Sequence, residues 1–280
     1  MSYKLIACDM DETLLNSDHM ICQRNIDAIK RAKREFGVKF VPATGRGYAS
    51  LERDLKLLDL YDKEGEYVIS FNGGALTENK NNKLLEFNGM PFYKMKEIFE
   101  FGLKQDVCII VYTIDKLYVY NLSESETERI KNEKRECTIM KENSVDFLEN
   151  EPISKILYQN INMEYLRTLE PKMKSITEGF CSVSYSSNRY IEFNSIGVDK
   201  GRGLKDLAKI LNIDIKDTIA VGDNFNDMAM LKVAGLSVAA NNAVNDVKKA
   251  CDYTTKADNN EGVVAELIEK FIFKEDLALV

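Results

Sequence analysis

The chain has 280 residues, of which 38 are Lys or Arg and 45 are Asp or Glu, so its formal net charge is −7. Hydrophobic residues make up 45% and charged residues 30%, a globular composition that excludes wholesale disorder and fits one to two domains. The acidic balance argues against a nucleic-acid partner, which needs a basic face, and no apolar run approaches the roughly 20 residues of a membrane span.

The numbers and positions of cysteine and histidine further limit the possible catalytic mechanisms and metal sites. The six cysteines are scattered, without a C-x-x-C pair, and most lie in apolar runs, which predicts reduced core thiols in a cytoplasmic protein. His19 is the only histidine, which excludes a site of several histidines and argues against catalysis by a Ser-His pair. Any chemistry in this chain must depend on carboxylates.

The first third of the chain alternates short apolar runs with helical patterns. The runs at 4–8, 38–41 and 67–71 are typical of buried strands, and the apolar spacing over 22–36 and 51–58 predicts helices between them. This order predicts an α/β fold with a Rossmann-like, doubly wound parallel sheet covered by helices.

The pattern changes after Gly74 and returns at Asp199. Between them the sequence predicts a polar turn at 78–83, a helix from Pro91, a hairpin of 107–113 and 117–121, helices near 124–135 and 163–173, and strands near 155–159, 180–185 and 190–193. Afterwards it predicts helices near 203–211, from 226, near 243–250 and near 262–271, with strands at 218–221 and 236–239. We expect a discontinuous core of residues 1–84 and 190–280, interrupted by an inserted α/β domain of residues 85–189.

Polar side chains follow the predicted core strands, where ligands bind in open parallel sheets. They are Asp9 and Asp11 after the first strand, Thr44, Gly45 and Arg46 after the second, Asn72 after the third, Lys200 at a helix start, and Asp223, Asn226 and Asp227 after a later strand. If the fold is right, all of them converge on one edge of the sheet.

Acidic side chains gathered at one edge need positive charge among them. Two like charges about 4 Å apart cost on the order of 4 kcal/mol at intermediate dielectric. Lys200 offsets one negative charge, and a divalent cation offsets more. Oxygen ligands without Cys or His indicate Mg²⁺, which accepts carboxylates, waters and a substrate phosphate.

Carboxylates, Mg²⁺, a hydroxyl and a lysine together suit phosphoryl transfer. The cation and Lys200 neutralise the phosphoryl oxygens, and Thr44 donates a hydrogen bond to one of them through its side chain or its backbone. One aspartate attacks phosphorus, and a second carboxylate protonates the leaving oxygen and later activates water.

Four ordered segments resemble the signature motifs of the haloacid dehalogenase superfamily. They are Asp9-Met10-Asp11-Glu12-Thr13, Thr44-Gly45-Arg46, Val198-Asp199-Lys200-Gly201 and Gly222-Asp223-Asn224-Phe225-Asn226-Asp227. With Asn72-Gly73, Ile191-Glu192-Phe193, Asn260-Glu261-Gly262 and the size of the insertion, the whole chain is similar to the Cof-type phosphatases of subfamily IIB. That resemblance implies a core with an inserted cap domain of type C2B.

The resemblance also implies a role for each residue at this edge. Asp9 would be the nucleophile and a metal ligand, and Asp11 the general acid/base, its carbonyl also binding Mg²⁺. Asp223 would be the remaining protein ligand of the metal. The phosphoryl group would be held by Met10, Thr44, Gly45, Lys200 and Asn226, while Asp227 would support the site. Apart from the resemblance, two interpretations stay open for Arg46, a substrate contact or a structural ion pair, and two for Asn72, a site residue or a plain turn residue. Glu12 stands where the group usually has Gly, which adds a negative charge beside the site.

We therefore expect a Mg²⁺-dependent phosphatase that hydrolyses phosphomonoesters of small metabolites through an aspartyl-phosphate on Asp9. Sugar phosphates, pyridoxal phosphate, flavin mononucleotide and nucleotides all remain open as substrates, and the cap would contact the part of the substrate beyond the phosphate. Two alternatives remain open: a phosphomutase or phosphotransferase that uses the same intermediate, and a catalytically silent protein that binds a phosphorylated metabolite. We expect no nucleic-acid or membrane partner.

Overall fold

Two sheets organise the chain in the computed structural model, which describes residues 3–133 and 136–274. The chain divides into two compact units, Met1–Glu86 with Asp199–Val280, and Phe87–Val198. The predicted boundaries lay a few residues earlier, at 84/85 and at 189/190. The later one differs because the strand that begins at Tyr190 pairs within the sheet of the second unit.

The strands and α-helices have the following bounds. The strands are β1 (Leu5–Asp9), β2 (Lys39–Ala43), β3 (Tyr67–Ser70), β4 (Ala75–Glu78), β5 (Lys83–Phe87), β6 (Cys108–Thr113), β7 (Leu117–Tyr120), β8 (Thr138–Ile139), β9 (Ile153–Gln159), β10 (Cys181–Ser186), β11 (Tyr190–Ser195), β12 (Thr218–Gly222), β13 (Leu236–Ala239) and β14 (Tyr253–Thr254). The α-helices are α1 (Gln23–Phe36), α2 (Glu52–Leu57), α3 (Phe92–Gly102), α4 (Glu124–Glu133), α5 (Met163–Thr177), α6 (Lys200–Ile210), α7 (Met228–Val233), α8 (Asn245–Ala250) and α9 (Val263–Ile268).

The first unit is built on a sheet in the order β14-β13-β12-β1-β2-β3-β4-β5. β14, β13, β12, β1, β2 and β3 run parallel, and β4 returns antiparallel to β3. Every residue of β1 and of β12 is buried, as expected of central parallel strands covered on both faces. The α/β fold predicted from the sequence is confirmed.

Helix α1 shows how the sequence covers this sheet. Its buried stripe, which includes Ile26, Ile29 and Ala32, recurs at helical spacing. The helix ends at Gly37, whose φ of 65° lies in the left-handed region and whose N–H donates to the Lys33 carbonyl. Glycine adopts that conformation without strain, which explains why the helix ends here. The end agrees with the stop predicted at this glycine.

The second unit is built on a sheet in the order β10-β11-β9-β6-β7-β8, antiparallel except for the β7–β8 pair. One face packs against α3 and α5 through apolar side chains such as Phe99, Tyr158 and Phe193. The other face carries a smaller cluster around Cys108 and Leu157, with Ile130 of α4 packed against it.

Several elements differ from the sequence prediction. β8 and β14 were not predicted, because two residues are too few to show a periodic pattern. Helix α6 begins at Lys200, the expected helix start, and so extends three residues before the predicted run at 203–211, because the Asp199 side chain accepts the Arg202 N–H and caps the helix. Helix α7 begins at Met228, after a short 3₁₀ turn over Phe225–Asp227. The end predicted for α4, at 134–135, lies outside the described residues.

Two further features are the length and hydropathy of the helices and the state of the cysteines. No helix within the described ranges has both the length and the apolar character that a membrane crossing requires. All six cysteines are free thiols.

Candidate active site

The end of β1 and the end of β12 place two aspartates side by side. The two strands are parallel neighbours with Cys8 opposite Val221, so Asp9, the last residue of β1, lies beside Asp223, which follows β12. Asp227 follows on the turn before α7. The three residues are almost fully buried, and each offers one carboxylate oxygen that lies within 4.8 Å of the others. We call Asp9, Asp223 and Asp227 the acid cluster.

Lys200 is the cation of this site. It begins α6, is 0% exposed, and donates one hydrogen bond to Asp9 Oδ1 and another to Asp227 Oδ1, the latter at 2.6 Å. Burial alone would lower the pKa of Lys200, but the charges of Asp227 and Asp9 outweigh it and raise that pKa. The ammonium group therefore stays protonated at any physiological pH.

One ammonium does not balance three carboxylates, which leave the site two negative charges in excess when all are ionised. Burial, and then the charge of Asp227, raise the pKa of Asp9 well above its ordinary value. The same two causes raise the pKa of Asp223 to about 6. The ionised acid cluster is thus short of positive charge, and a divalent cation would supply it.

The donor atoms fit such a cation. Lys200 holds one oxygen of Asp9, and the Thr13 hydroxyl donates to Asp223 Oδ1 at 2.8 Å, which leaves one oxygen on each of these carboxylates. Asp227 is differently placed, because its Oδ2 accepts the backbone N–H groups of Asp223 and Asn224 at 3.0 and 3.1 Å. Asp9 and Asp223 can therefore bind a metal ion that prefers oxygen, while Asp227 fixes Lys200 and the loop.

Thr13 is a residue of the site that was not predicted from the sequence. It belongs to the first motif, and the threonine of that motif was the signal that could have indicated it. The structure shows it fully buried, with its hydroxyl orienting Asp223 from 210 positions away in the sequence.

Asp11 lies apart from the acid cluster. It is half-exposed, and its carboxylate is held by Arg46, which donates from Nε to Oδ2 at 3.0 Å and from Nη2 to Oδ1. Between Asp11 and Thr13 the backbone of Glu12 has φ 58°, in the left-handed region that favours glycine. Glu12 therefore adopts a backbone conformation that glycine would adopt with less strain. Asn242 holds the loop by donating to the Glu12 carbonyl at 2.7 Å.

The loop after β2 carries Thr44 and Gly45. The Thr44 N–H donates to the Ile69 carbonyl at 2.9 Å, so its backbone is already engaged. Its hydroxyl oxygen accepts the Arg46 N–H at 3.1 Å, which leaves the hydroxyl hydrogen available to a ligand. Of the two ways in which Thr44 was expected to donate, the structure favours the side chain.

Asn72 lies against Gly45, since a Cβ at Gly45 would stand 3.2 Å from Asn72 Oδ1. That oxygen is buried, and no described residue hydrogen-bonds to it. Met10 is buried between Asp9 and Asp11. Asn226 is exposed on the turn before α7.

Comparison with known proteins gives a consistent result. The model of the haloacid dehalogenase-like hydrolase family matches residues 6–267. Phosphatase YwpJ of Bacillus subtilis is 29% identical over 287 residues, covering 93% of this chain and 97% of its own length. YwtE, a 5-amino-6-(5-phospho-D-ribitylamino)uracil phosphatase of the same organism, is 29% identical over 282 residues, covering 93% and 95%. A crystal structure of a haloacid dehalogenase-like hydrolase from Bacteroides thetaiotaomicron superposes with a TM-score of 0.84 at 29% identity, covering 96% of this chain and 99% of that one.

Proposed function

This chain belongs to the haloacid dehalogenase-like hydrolases and is a Cof-type phosphatase. We propose that it hydrolyses phosphomonoesters of small metabolites through an aspartyl-phosphate on Asp9, with Mg²⁺ as cofactor. The observation that carries the proposal is the buried acid cluster around Lys200. Three buried carboxylates around one lysine do not stabilise a folded core. At the carboxyl edge of a parallel sheet, they are suited to bind a metal ion and a phosphoryl group.

In the first step a carboxylate oxygen of Asp9 attacks phosphorus in line, and the bond from phosphorus to the leaving oxygen breaks. Asp11 gives its proton to that oxygen, so the product leaves as an alcohol. Lys200, the Thr44 hydroxyl and the Gly45 backbone stabilise the phosphoryl oxygens, whose charge is redistributed during transfer. When bound, Mg²⁺ neutralises phosphoryl charge and orients the group.

In the second step Asp11, now ionised, takes a proton from water, and the resulting hydroxide attacks phosphorus of the aspartyl-phosphate. The bond between phosphorus and the Asp9 oxygen breaks, which regenerates the carboxylate and releases inorganic phosphate. Asp227 keeps Lys200 and the Asp223 loop in place throughout.

Selection among substrates belongs, in this proposal, to the second unit, the predicted cap. The acid cluster offers contacts only to phosphate and metal, and such contacts are the same for every phosphomonoester. YwtE acts on a phosphorylated ribitylamino-uracil, which supports polyhydroxylated phosphates as the substrate class here. The six free cysteines support a reducing, cytoplasmic location.

A panel of phosphorylated metabolites tests the function. Purified protein is incubated with sugar phosphates, pyridoxal phosphate and flavin mononucleotide, with MgCl₂ or with EDTA, and released phosphate is measured without any added acceptor. We expect release that depends on Mg²⁺. Phosphate transfer only after a sugar acceptor is added would identify a phosphotransferase instead, and binding without release would identify a silent binding protein.

The affinity for Mg²⁺ is expected to fall about tenfold between pH 7 and pH 5. With a folded pKa of about 6 in the metal-free protein, Asp223 is mostly ionised at pH 7 and mostly protonated at pH 5, where a proton competes with the metal. Isothermal titration calorimetry at the two pH values measures this, with proton release on binding near pH 6. An affinity that does not change over this range would contradict a metal site at Asp223.

A further inference from the structure

The proposed function assigns no role to the two-point hydrogen bond between the Arg46 guanidinium and the Asp11 carboxylate, which we call the fork. Arg46 donates from Nε and from Nη2 to the two different oxygens of the Asp11 carboxylate. Both residues lie in loops that follow parallel strands, β1 and β2, which pair with Asp9 opposite Ala43. A two-point contact of this kind fixes both the position and the plane of the carboxylate.

Within residues 3–133 and 136–274, Arg46 is the side chain that hydrogen-bonds to the Asp11 carboxylate. Lys200, the buried cation, already donates to Asp9 and Asp227. The carboxylate of Asp11 is not part of the acid cluster and is half-exposed. The orientation of Asp11 therefore depends on Arg46.

Arg46 is itself held from its backbone. Its N–H donates to Thr44 Oγ1 at 3.1 Å, and its carbonyl accepts the Phe71 N–H at 3.0 Å. These bonds connect it to the loop that presents Thr44, so Asp11 is oriented from the same loop that would hold the phosphoryl group.

A purely stabilising role explains this pair poorly. The side chain of Arg46 is 33% exposed and that of Asp11 is 47% exposed. Ion pairs with such exposure contribute about 0–1 kcal/mol to the free energy of unfolding. The fork therefore fixes the position of the Asp11 carboxylate and contributes little to the free energy of unfolding.

We propose that Arg46 is the positioning residue of the general acid/base, holding Asp11 where it reaches the leaving oxygen. The inference rests on the proposed function. The proton moves only between Asp11, the leaving oxygen and water.

Leaving groups of different basicity test the inference. An alkyl phosphate needs a proton on its leaving oxygen, whereas p-nitrophenyl phosphate releases a phenolate that leaves without one. We expect Arg46→Gln to lower kcat/KM for an alkyl phosphate about tenfold or more, and for p-nitrophenyl phosphate less than about threefold. Arg46→Lys keeps the charge but not the fork, and should lie between wild type and Arg46→Gln for the alkyl substrate.

A double-mutant comparison completes the test. In an Asp11→Asn background, adding Arg46→Gln should change kcat/KM for the alkyl phosphate by less than about twofold, because the group that Arg46 positions is gone. Equal losses with both substrates would make Arg46 a substrate ligand, and no loss with either would make the pair an idle surface contact. Both results overturn the inference. A wild-type protein inactive on both substrates would instead refute the proposed function.

Discussion

Asp9→Asn is expected to lower phosphate release by at least about 10⁴-fold while the protein stays folded. The amide cannot attack phosphorus, so the covalent route is lost, and losses of this size follow removal of an enzyme nucleophile. Asn is close to Asp in size, and Lys200 keeps its hydrogen bond to Asp227. Initial rates on the best substrate of the panel, with circular dichroism of the same preparation, measure both effects.

Asp18→Asn is the matched control for this substitution. Asp18 carries the same side chain on the segment that follows the first motif, but it is exposed and lies outside the acid cluster. Its substitution should leave kcat and KM within about twofold of wild type, as for a surface position away from the site. Normal turnover by purified Asp9→Asn would refute Asp9 as the nucleophile.

Lys200→Met is expected to cost about 3–5 kcal/mol of the free energy of unfolding at pH 7 in metal-free buffer. The substitution removes the only charge that compensates Asp9 and Asp227 among the contacts described, and leaves both carboxylates buried. Urea denaturation followed by circular dichroism measures the change, and activity should be lost as well.

The loss of stability should shrink as the pH falls from 7 to 5. Burial and neighbouring charge raise the folded-state pKa of Asp9 and of Asp223, the latter to about 6, so the folded protein takes up protons more readily than the unfolded chain. Raised carboxyl pKa values therefore favour the folded state at lower pH. Lys205→Met, an exposed position on the same helix, is the control and should change the free energy of unfolding little. An equally small effect of Lys200→Met would contradict the electrostatic account of the site.

The sequence was sufficient to predict which residues follow which strands. Because β1, β2, β3 and β12 run parallel, their carboxyl ends meet at one edge, and Asp9 and Asp223 lie together for that reason. The hydrophobic pattern carries this information because each buried strand is a continuous apolar run.

Side-chain pairing could not be predicted in the same way. Lys200 was expected to offset one negative charge, but the sequence did not show that it lies between Asp9 and Asp227, or that Asp227 also holds the loop through Asp223 and Asn224. These contacts depend on rotamers and on loop geometry, which have no periodic signature in the sequence.

Helix α4 shows a limit of composition as a guide. The helix is rich in charged residues, which is typical of an exposed helix, yet Glu126 is fully buried and its carboxylate accepts the Tyr190 hydroxyl hydrogen, with oxygen–oxygen distances of 2.8 and 2.9 Å. The partner lies 64 positions away, so nothing local in the sequence distinguishes Glu126 from its exposed neighbours.

The stereochemical course at phosphorus tests the central claim most directly. Each in-line displacement inverts the configuration, so attack by Asp9 followed by attack of water on the aspartyl-phosphate should restore it. A substrate with a phosphoryl group made chiral by oxygen isotopes and sulfur is hydrolysed in labelled water, and the configuration of the thiophosphate product is determined. The account predicts overall retention. Inversion would show that water attacks the substrate directly and that Asp9 never carries the phosphoryl group.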